Sequence, residues 1–375
     1  MMSEPEYRPG LADVPVAESG ISYIDGKRAR LEYRGIAVET LARESTFEET
    51  SWLLLKGSLP TQRELALFDR DLKQNRGLKY RQIDILKCLP PAGHPMEALQ
   101  ASIAALGMFH PAREEAWESV IQLVSKTTTL VAAFHRIRHG EEPVAPREDL
   151  GHAANFYYML TGRDPSAPVA RVLDACLILH AEHQMNASTF AARVVGSTLA
   201  NPYAVISAAV GALSGPLHGG ANEEVLQMLD EVGEASKAKG WLEDAVATKK
   251  KIMGFGHRVY KVKDPRATVL QELAEHAFAE TGRPASYETA LELEKAANAI
   301  LGPKGIYPNV DFFSGIVYSS LGIPRDLFTP MFAMARVAGW LAHWLEQTRN
   351  NRIFRPEQIF TGVRDQAYIP LEKRP

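Results

Sequence analysis

The sequence is poor in cysteine, with Cys88 and Cys176 as the only two among 375 residues. So few cysteines exclude a fold that is held together by a network of disulfide bonds, and they agree with a reducing compartment. Each cysteine lies in an apolar or mixed stretch with a helical pattern. We therefore expect two buried, unreactive thiols rather than a redox centre or a nucleophile.

Long apolar runs and a strong excess of one charge are also missing. A membrane-spanning helix needs about 18 uncharged apolar residues, but the best candidate, residues 169–181, contains Arg171 and Asp174. Residues 1–10 are polar and lack the apolar centre of a signal peptide. With 42 basic and 45 acidic residues, the formal net charge is -3. These features predict a cytoplasmic protein with neither a membrane nor a nucleic acid as its partner.

Strand patterns are confined to the N-terminal part of the chain. Ile21 and Tyr23, and then Leu31 and Tyr33, alternate with polar residues on either side of an Asp-Gly pair, which predicts a short hairpin. The remainder has helical periodicity and recognisable helix starts. Predicted helices cover residues 46–57, 114–137, 147–160, 168–186, 188–199, 203–213, 221–232, 241–252, 266–279, 287–301, 309–321 and 330–347. Two further helices are predicted to begin at a capping box formed by Thr61 and Glu64 and at Pro95. The predicted fold is therefore mostly α, and the length suggests two domains or one domain with a smaller insert.

Four segments carry residues that are suited to chemistry. They are residues 180–183 (His-Ala-Glu-His), the glycine-rich turns 215–223 and 254–260, and residues 309–315. Glycine before a helix lets a ligand approach the backbone closely and leaves helix N–H groups free to bind anions. Asp311 has apolar neighbours, so we expect burial to raise its pKa and to make it a base near neutral pH.

These residues allow more than one function. His180 and His183 are three residues apart on a helical face, and with Glu182 they would suit a metal-dependent hydrolase, although hydrogen-bonded core histidines are the simpler interpretation. His218 and His257, with Asp311, would suit proton removal from a carbon beside a carbonyl. The same set would serve several other reactions equally well.

The four segments resemble the citrate synthase family, in the family's order and separations. The resemblance runs from residues 20–26 to the Arg-Pro pair at 355–356, and the runs Gly-Pro-Leu-His-Gly-Gly-Ala-Asn, Gly-Phe-Gly-His and Val-Asp-Phe-Phe-Ser-Gly are its most specific part. It implies a mostly helical homodimer. A large domain (1–218 and 316–375) would be interrupted by a small domain (219–315) that closes over the active site.

The resemblance also implies roles for particular residues. His218 would stabilise the enolate of the acyl thioester, Asp311 would remove the methyl proton, and His257 would protonate the keto oxygen of oxaloacetate. The expected ligands of oxaloacetate are His183, Arg266, Arg336 and Arg355, with Arg355 donated across the dimer interface. The expected coenzyme A contacts are Lys251, Gly254, Gly256 and Lys261. No metal and no permanently bound cofactor is expected, and acetyl-CoA is a cosubstrate.

The expected activity is the condensation of acetyl-CoA with oxaloacetate, followed by hydrolysis of citryl-CoA, as the entry step of the tricarboxylic acid cycle. The nearest alternative is 2-methylcitrate synthase, which uses propionyl-CoA and differs by one methylene of substrate. The metal-dependent hydrolase and a non-catalytic interaction protein that keeps the fold are more remote. The sequence lacks the N-terminal extension of NADH-regulated family members, which argues against that inhibition and against a hexamer.

Overall fold

The computed structural model describes residues 7–110 and 116–375. Helices dominate this part of the chain, in agreement with the predicted fold class. The sixteen α-helices among the described residues are α1 (Val38–Glu44), α2 (Phe47–Lys56), α3 (Gln62–Asn75), α4 (Tyr80–Cys88), α5 (Pro95–Phe109), α6 (Ala116–Arg138), α7 (His152–Thr161), α8 (Ala167–His180), α9 (Ala187–Ser197), α10 (Pro202–Leu213), α11 (Ala221–Val232), α12 (Ala238–Ala247), α13 (Pro265–Thr281), α14 (Ala285–Ile300), α15 (Val310–Ser320) and α16 (Phe328–Arg349).

A small antiparallel sheet precedes the helices. Strands β1 (Ser22–Asp25) and β2 (Arg30–Tyr33) form the predicted hairpin, and β3 (Ile36–Ala37) adds a third strand in the order β1-β2-β3. Ser22 pairs with Tyr33 at the base of the hairpin, and Asp25 pairs with Arg30 near its tip. The sequence did not predict β3, because a strand of two residues is too short to show an alternating pattern.

Local capping signals placed several helix ends correctly. Thr46 caps α2 by accepting the N–H of Glu49, and Gly57 ends the same helix in a left-handed conformation. Thr61 begins α3 with a complete capping box, and Asn309 begins α15 by accepting the N–H of Asp311.

Other predicted helix bounds are wrong, and helices α1 and α4 were not predicted at all. The helix predicted at 168–186 ends at His180, because Gln184 adopts a left-handed backbone and Asn186 caps a new helix. The helix predicted from residue 147 begins at His152. The N–H of Arg147 donates instead to the side-chain oxygen of Asn155, in the first turn of that helix. The helix predicted to reach residue 252 ends at Ala247, just before the left-handed residue 249. The predicted start of the helix at 114 lies outside the described residues.

Helix α16 forms the centre of the molecule. Every residue from 328 to 344 is buried, and the helix packs against α2, α6, α8, α9 and α10. Helices α11 to α15 pack on one another, with α13 also lying against α1 and α8. These helices span residues 221–320, so the predicted end of the small domain at residue 315 falls within α15. The domain division stays a prediction.

The two cysteines differ from each other. Cys176 is buried in α8 as expected, and burial raises the pKa of its thiol to about 12. The prediction for Cys88 is wrong, because this residue is the last of the surface helix α4 and is exposed. Within residues 7–110 and 116–375, no helix is long and apolar enough to cross a membrane.

Candidate active site

The end of helix α8 and the middle of helix α16 form one wall of the candidate site. The guanidinium of Arg336 donates from Nε to the carbonyl oxygen of His180 at 2.6 Å and lies 4.7 Å above the ring of Phe332. Burial lowers the pKa of Arg336 to about 10, so the side chain still carries its charge at neutral pH. A buried guanidinium that is held on one side in this way is suited to a carboxylate ligand.

His183 lies in the turn that follows α8 and faces the second glycine-rich turn. Its Nε2 lies 3.3 Å from the hydroxyl oxygen of Tyr260, and the rings of His183 and His257 are 5.1 Å apart. Burial lowers the pKa of His183 well below its ordinary value, and the nearby charge of Arg266 lowers it further. His183 is therefore neutral near pH 7 and serves as a hydrogen-bonding group rather than a cation.

The backbone of its own turn fixes the tautomer of His257. Its Nδ1 accepts the N–H groups of Val259 at 3.0 Å and of Tyr260 at 3.2 Å. Burial, assisted by the charge of Arg266, lowers the pKa of His257 to about 4, so the ring is neutral. With Nδ1 occupied as an acceptor, the single ring proton resides on Nε2 and can be donated to a ligand.

The glycines of this turn bring His257 close to the start of helix α15. Gly254 and Gly256 both have left-handed backbones. The N–H of Gly256 donates to the carbonyl oxygen of Tyr307, in the segment just before α15, at 2.8 Å. Asn309 bonds to the turn through its backbone N–H and through its side-chain amide. A Cβ atom on Gly254 would lie 2.9 Å from the Cα of Phe312, so only glycine permits this approach.

Asp311 occupies the first turn of α15, and the structure agrees with the predicted perturbation of its carboxyl group. Burial raises the pKa of Asp311 to about 6. The positive charges of Arg266 and Arg336 lower this pKa and offset only part of the rise, whereas the negative charge of Asp264 adds to it. A carboxylate with this pKa is ionised at pH 7 yet is a far better base than an ordinary aspartate.

Arg266 is oriented by a residue that the sequence analysis did not single out. Its Nε and one terminal nitrogen donate to the two carboxylate oxygens of Asp264, at 3.0 and 2.7 Å, and both side chains are buried. Asp264 also caps helix α13, and capping is the usual meaning of an aspartate at that position. Because capping already explains an aspartate at this position, the sequence does not reveal that Asp264 also holds a buried guanidinium in one orientation.

His218, on the first glycine-rich turn, is held by a residue of helix α9. Its Nε2 accepts the backbone N–H of Ser188 at 3.3 Å and lies 2.9 Å from the hydroxyl oxygen of Ser188, which also accepts the indole N–H of Trp340 at 3.1 Å. Because the backbone N–H can only donate, Nε2 is an acceptor and Nδ1 carries the ring proton. Burial lowers the pKa of His218 to about 4, assisted by Arg336.

Sequence reasoning missed Ser188, Tyr260 and Trp340. Ser188 stands two residues after the cap Asn186, where a serine is ordinary at the start of a helix. Tyr260 and Trp340 look like core aromatics, and both are indeed buried. Their polar atoms form hydrogen bonds with residues that are distant in the sequence, so only the structure shows these contacts.

Six of the predicted site residues share one electrostatic environment. Arg266 affects the pKa of His183, His257 and Asp311, and Arg336 affects the pKa of His183, His218 and Asp311. The structure therefore brings three neutral histidines, one carboxylate of raised pKa and two buried guanidinium groups together. Such a set can bind a small dianion and move a proton to or from carbon next to it.

The other predicted site residues lie outside this cluster. Arg355 is exposed, although Phe354 beside it packs on the ring of Phe190 and donates its N–H to Ser197. No hydrogen bond or ion pair among the described residues joins Arg355 to the cluster. Lys251 and Lys261 are exposed on either side of the glycine turn. The roles of Arg355 and of the two lysines stay predictions.

The three residues of the metal-dependent hydrolase alternative have separate partners. His180 Nδ1 lies 2.7 Å from the carbonyl oxygen of Cys176, whereas one carboxylate oxygen of Glu182 accepts from His343 and from Ser22, each at 3.0 Å. The ring of His183 faces Tyr260 instead. In the part of the chain that the structure describes, no three His, Cys, Asp or Glu side chains are grouped to hold a metal ion.

These observations define the class as an all-α protein with a buried acid–base site for a small anionic substrate. The family model described as citrate synthase, C-terminal domain, matches residues 10–357. The citrate synthase of Synechocystis sp. is 54% identical over 380 residues, which cover 100% of this chain and 96% of that protein. The citrate synthase of Acidithiobacillus ferridurans is 47% identical, with 100% of both chains covered.

Solved structures agree with these relatives. Citrate synthase from Pyrobaculum aerophilum superposes with a TM-score of 0.91 at 44% identity, covering 97% of this chain and 95% of that chain. A ternary complex of carboxymethyl coenzyme A and oxaloacetate with citrate synthase from Thermoplasma acidophilum has a TM-score of 0.92 at 32% identity, covering 98% and 100% of the two chains. The chain belongs to the citrate synthase family.

Proposed function

We propose that this protein is a citrate synthase, which condenses acetyl-CoA with oxaloacetate and hydrolyses citryl-CoA to citrate and coenzyme A. The observation that carries the proposal is the pairing of a raised-pKa carboxylate, Asp311, with two neutral histidines whose proton positions are set by neighbouring groups. The ternary complex of the Thermoplasma relative with a coenzyme A analogue and oxaloacetate supports the choice of substrates.

Oxaloacetate binds first in this mechanism. Arg266 and Arg336 supply positive charge for its two carboxylates, and each guanidinium is preoriented, by Asp264 and by the carbonyl of His180 respectively. His183 hydrogen-bonds the substrate, and His257 donates a hydrogen bond from Nε2 to the keto oxygen. The keto carbon is thereby polarised for attack before any acyl-CoA arrives.

Carbon–carbon bond formation then follows from the placement of the two remaining groups. The carboxylate of Asp311 removes a proton from the methyl carbon of acetyl-CoA, while the Nδ1 proton of His218 stabilises the oxygen of the nascent enolate. The enolate carbon attacks the keto carbon of oxaloacetate, and His257 gives its Nε2 proton to the oxygen that becomes the hydroxyl of citryl-CoA. Over the cycle the proton that Asp311 took up is lost and His257 regains one, by exchange with solvent, so both groups return to their starting state. Water then cleaves the thioester of citryl-CoA to give citrate and free coenzyme A.

Coenzyme A lies along the glycine turn in this proposal. Lys251 and Lys261 are exposed cations on either side of the turn, and at the half-buried Gly256 the absence of a side chain leaves the backbone open. Gly254 is buried and contributes by letting the turn approach Phe312. Phosphate groups favour such a combination of positive charge and unobstructed backbone. The small domain, residues 219–315, closes over both substrates and excludes water during condensation.

A second copy of the chain completes the site. The segment after α16 is irregular and carries the exposed apolar side chains Ile353, Ile359, Phe360 and Val363. Exposed apolar residues on an irregular segment of this kind support docking onto a partner surface. We infer a homodimer in which this segment delivers Arg355 to the oxaloacetate site of the partner. A cytoplasmic location and a place at the entry of the tricarboxylic acid cycle belong to the same proposal.

Thiol release tests the proposed function. The purified protein is mixed with oxaloacetate and either acetyl-CoA or propionyl-CoA, and free coenzyme A is measured with a thiol reagent. Faster oxaloacetate-dependent release from acetyl-CoA is the expected result. A clear preference for propionyl-CoA would reassign the protein to 2-methylcitrate synthase, and no release from either thioester would refute the proposed chemistry.

A further inference from the structure

The base of the β1–β2 hairpin is fixed to the turn that carries His183. The hydroxyl oxygen of Tyr33 lies 2.9 Å from the carbonyl oxygen of Glu182 and accepts the N–H of the same residue at 3.2 Å. Ser22, opposite Tyr33 in the hairpin, donates its hydroxyl to the Glu182 carboxylate at 3.0 Å. The residue immediately before His183 is therefore held by both strands of the hairpin.

The tip of the same hairpin is fixed to the turn that carries His257. The carbonyl oxygen of Gly26 accepts the N–H of Lys261 at 3.0 Å. A Cβ atom on Gly26 would lie 2.1 Å from the carbonyl oxygen of Val259 and 2.7 Å from its carbonyl carbon, a separation that no side chain tolerates. The backbone of Gly26 is not left-handed, so close approach alone requires glycine at this position.

The contacts at the tip continue directly to the imidazole of His257. Val259, which packs on Gly26, and the next residue, Tyr260, donate the two N–H groups that hold Nδ1 of His257. The hydroxyl of Tyr260 reaches His183 Nε2 at 3.3 Å. The hairpin and the Tyr260 hydroxyl therefore link the same two histidines by routes that meet at Tyr260.

We propose that the β1–β2 hairpin is a clasp that sets the position of His257 relative to His183, with Gly26 as the positioning residue at its tip. This inference rests on the proposed function, in which both histidines bind oxaloacetate. In the proposed domain division, His183 lies in the large domain and His257 in the small one. In the closed state of the small domain, the clasp would then hold its turn at the distance at which both imidazoles reach one substrate.

The test replaces Gly26 by alanine and measures oxaloacetate affinity by calorimetric titration, with thiol release as a parallel assay. The added methyl group displaces the Val259–Tyr260 peptide and with it the ring of His257. A displacement of about 1 Å in a substrate-positioning group costs up to about 100-fold, so we expect oxaloacetate to bind at least about tenfold more weakly. Gly240→Ala is the matched control, because a Cβ there meets nothing within 4 Å and the site is exposed in α12.

A double-mutant cycle separates a clasp from general destabilisation. Gly26→Ala displaces the Val259–Tyr260 peptide and with it the hydroxyl that contacts His183. Tyr260→Phe then has little further contact to remove, so the two substitutions together should weaken binding by less than the product of their separate effects. Melting temperatures of all variants are measured alongside. If Gly26→Ala does not fold, Ser22→Ala at the base, which removes one hydroxyl, replaces it in the cycle with a smaller expected loss of affinity.

The outcomes distinguish the clasp from the proposed function. A folded Gly26→Ala protein with unchanged oxaloacetate affinity, or effects that multiply independently in the cycle, would overturn the clasp. If the unaltered protein binds oxaloacetate and Gly26→Ala weakens that binding, but no thiol is released by either, the clasp stands and the proposed reaction fails.

Discussion

The protonation state of Asp311 should be visible as an acid limb in the rate of the reaction. Burial raises the pKa of Asp311 to about 6, whereas it lowers the pKa of His218 and His257 to about 4. Of these three groups, only Asp311 titrates between pH 5 and 8. Because the base must be ionised, activity is retained above the pKa and lost as the pH falls through it.

The size of the effect follows from the titration curve. With a pKa of about 6, about ten in eleven carboxyl groups are ionised at pH 7 and about one in eleven at pH 5, which predicts a roughly tenfold loss of kcat/KM for acetyl-CoA. The assay is thiol release at saturating oxaloacetate in buffers of constant ionic strength, with circular dichroism at each pH to confirm that the protein is folded. A flat profile down to pH 5, or a limb near pH 4, would refute the reasoning.

Two experiments test other parts of the site. Ser188→Ala removes the hydroxyl beside His218 Nε2 and keeps the backbone N–H. Because a hydrogen bond contributes about 1 kcal/mol, we expect kcat to fall about fivefold with little change in oxaloacetate binding. An unchanged kcat would contradict the role of Ser188. Coexpression of Arg355→Ala with Asp311→Asn chains should restore activity in the mixed dimers, because one of their two sites then has both native residues. No recovery, with mixed dimers shown to form, would contradict donation of Arg355 across the interface.

Much of the fold was predictable from short-range signals. The helix starts at Thr46, Thr61 and Asn309 depend on a side chain and a backbone N–H two or three residues away, so the information is contained in the local sequence. The end of α8 was not predictable in this way. The apolar pattern continues past His180, whereas the turn that replaces the helix is stabilised by Tyr33, about 150 residues earlier in the chain.

The residues of the candidate site also divide into those that the local sequence predicts and those that it does not. The sequence singled out His218, His257 and Asp311 because glycine turns and apolar neighbours surround them. It did not single out Ser188 or Asp264, which orient a histidine and an arginine while also occupying ordinary positions at helix starts. Orientation is a property of contacts between distant segments, and a single sequence carries no direct record of such contacts.

The most direct test of the account is the turnover of Asp311→Asn, which keeps the shape of the side chain and removes the base. A positioned general base contributes about 10²- to 10⁴-fold, so kcat for acetyl-CoA and oxaloacetate should fall by that range while oxaloacetate still binds. Asp244→Asn, an exposed aspartate in α12, is the matched control and should leave kcat unchanged. A near-normal kcat for Asp311→Asn would contradict the central claim that this carboxylate removes the methyl proton.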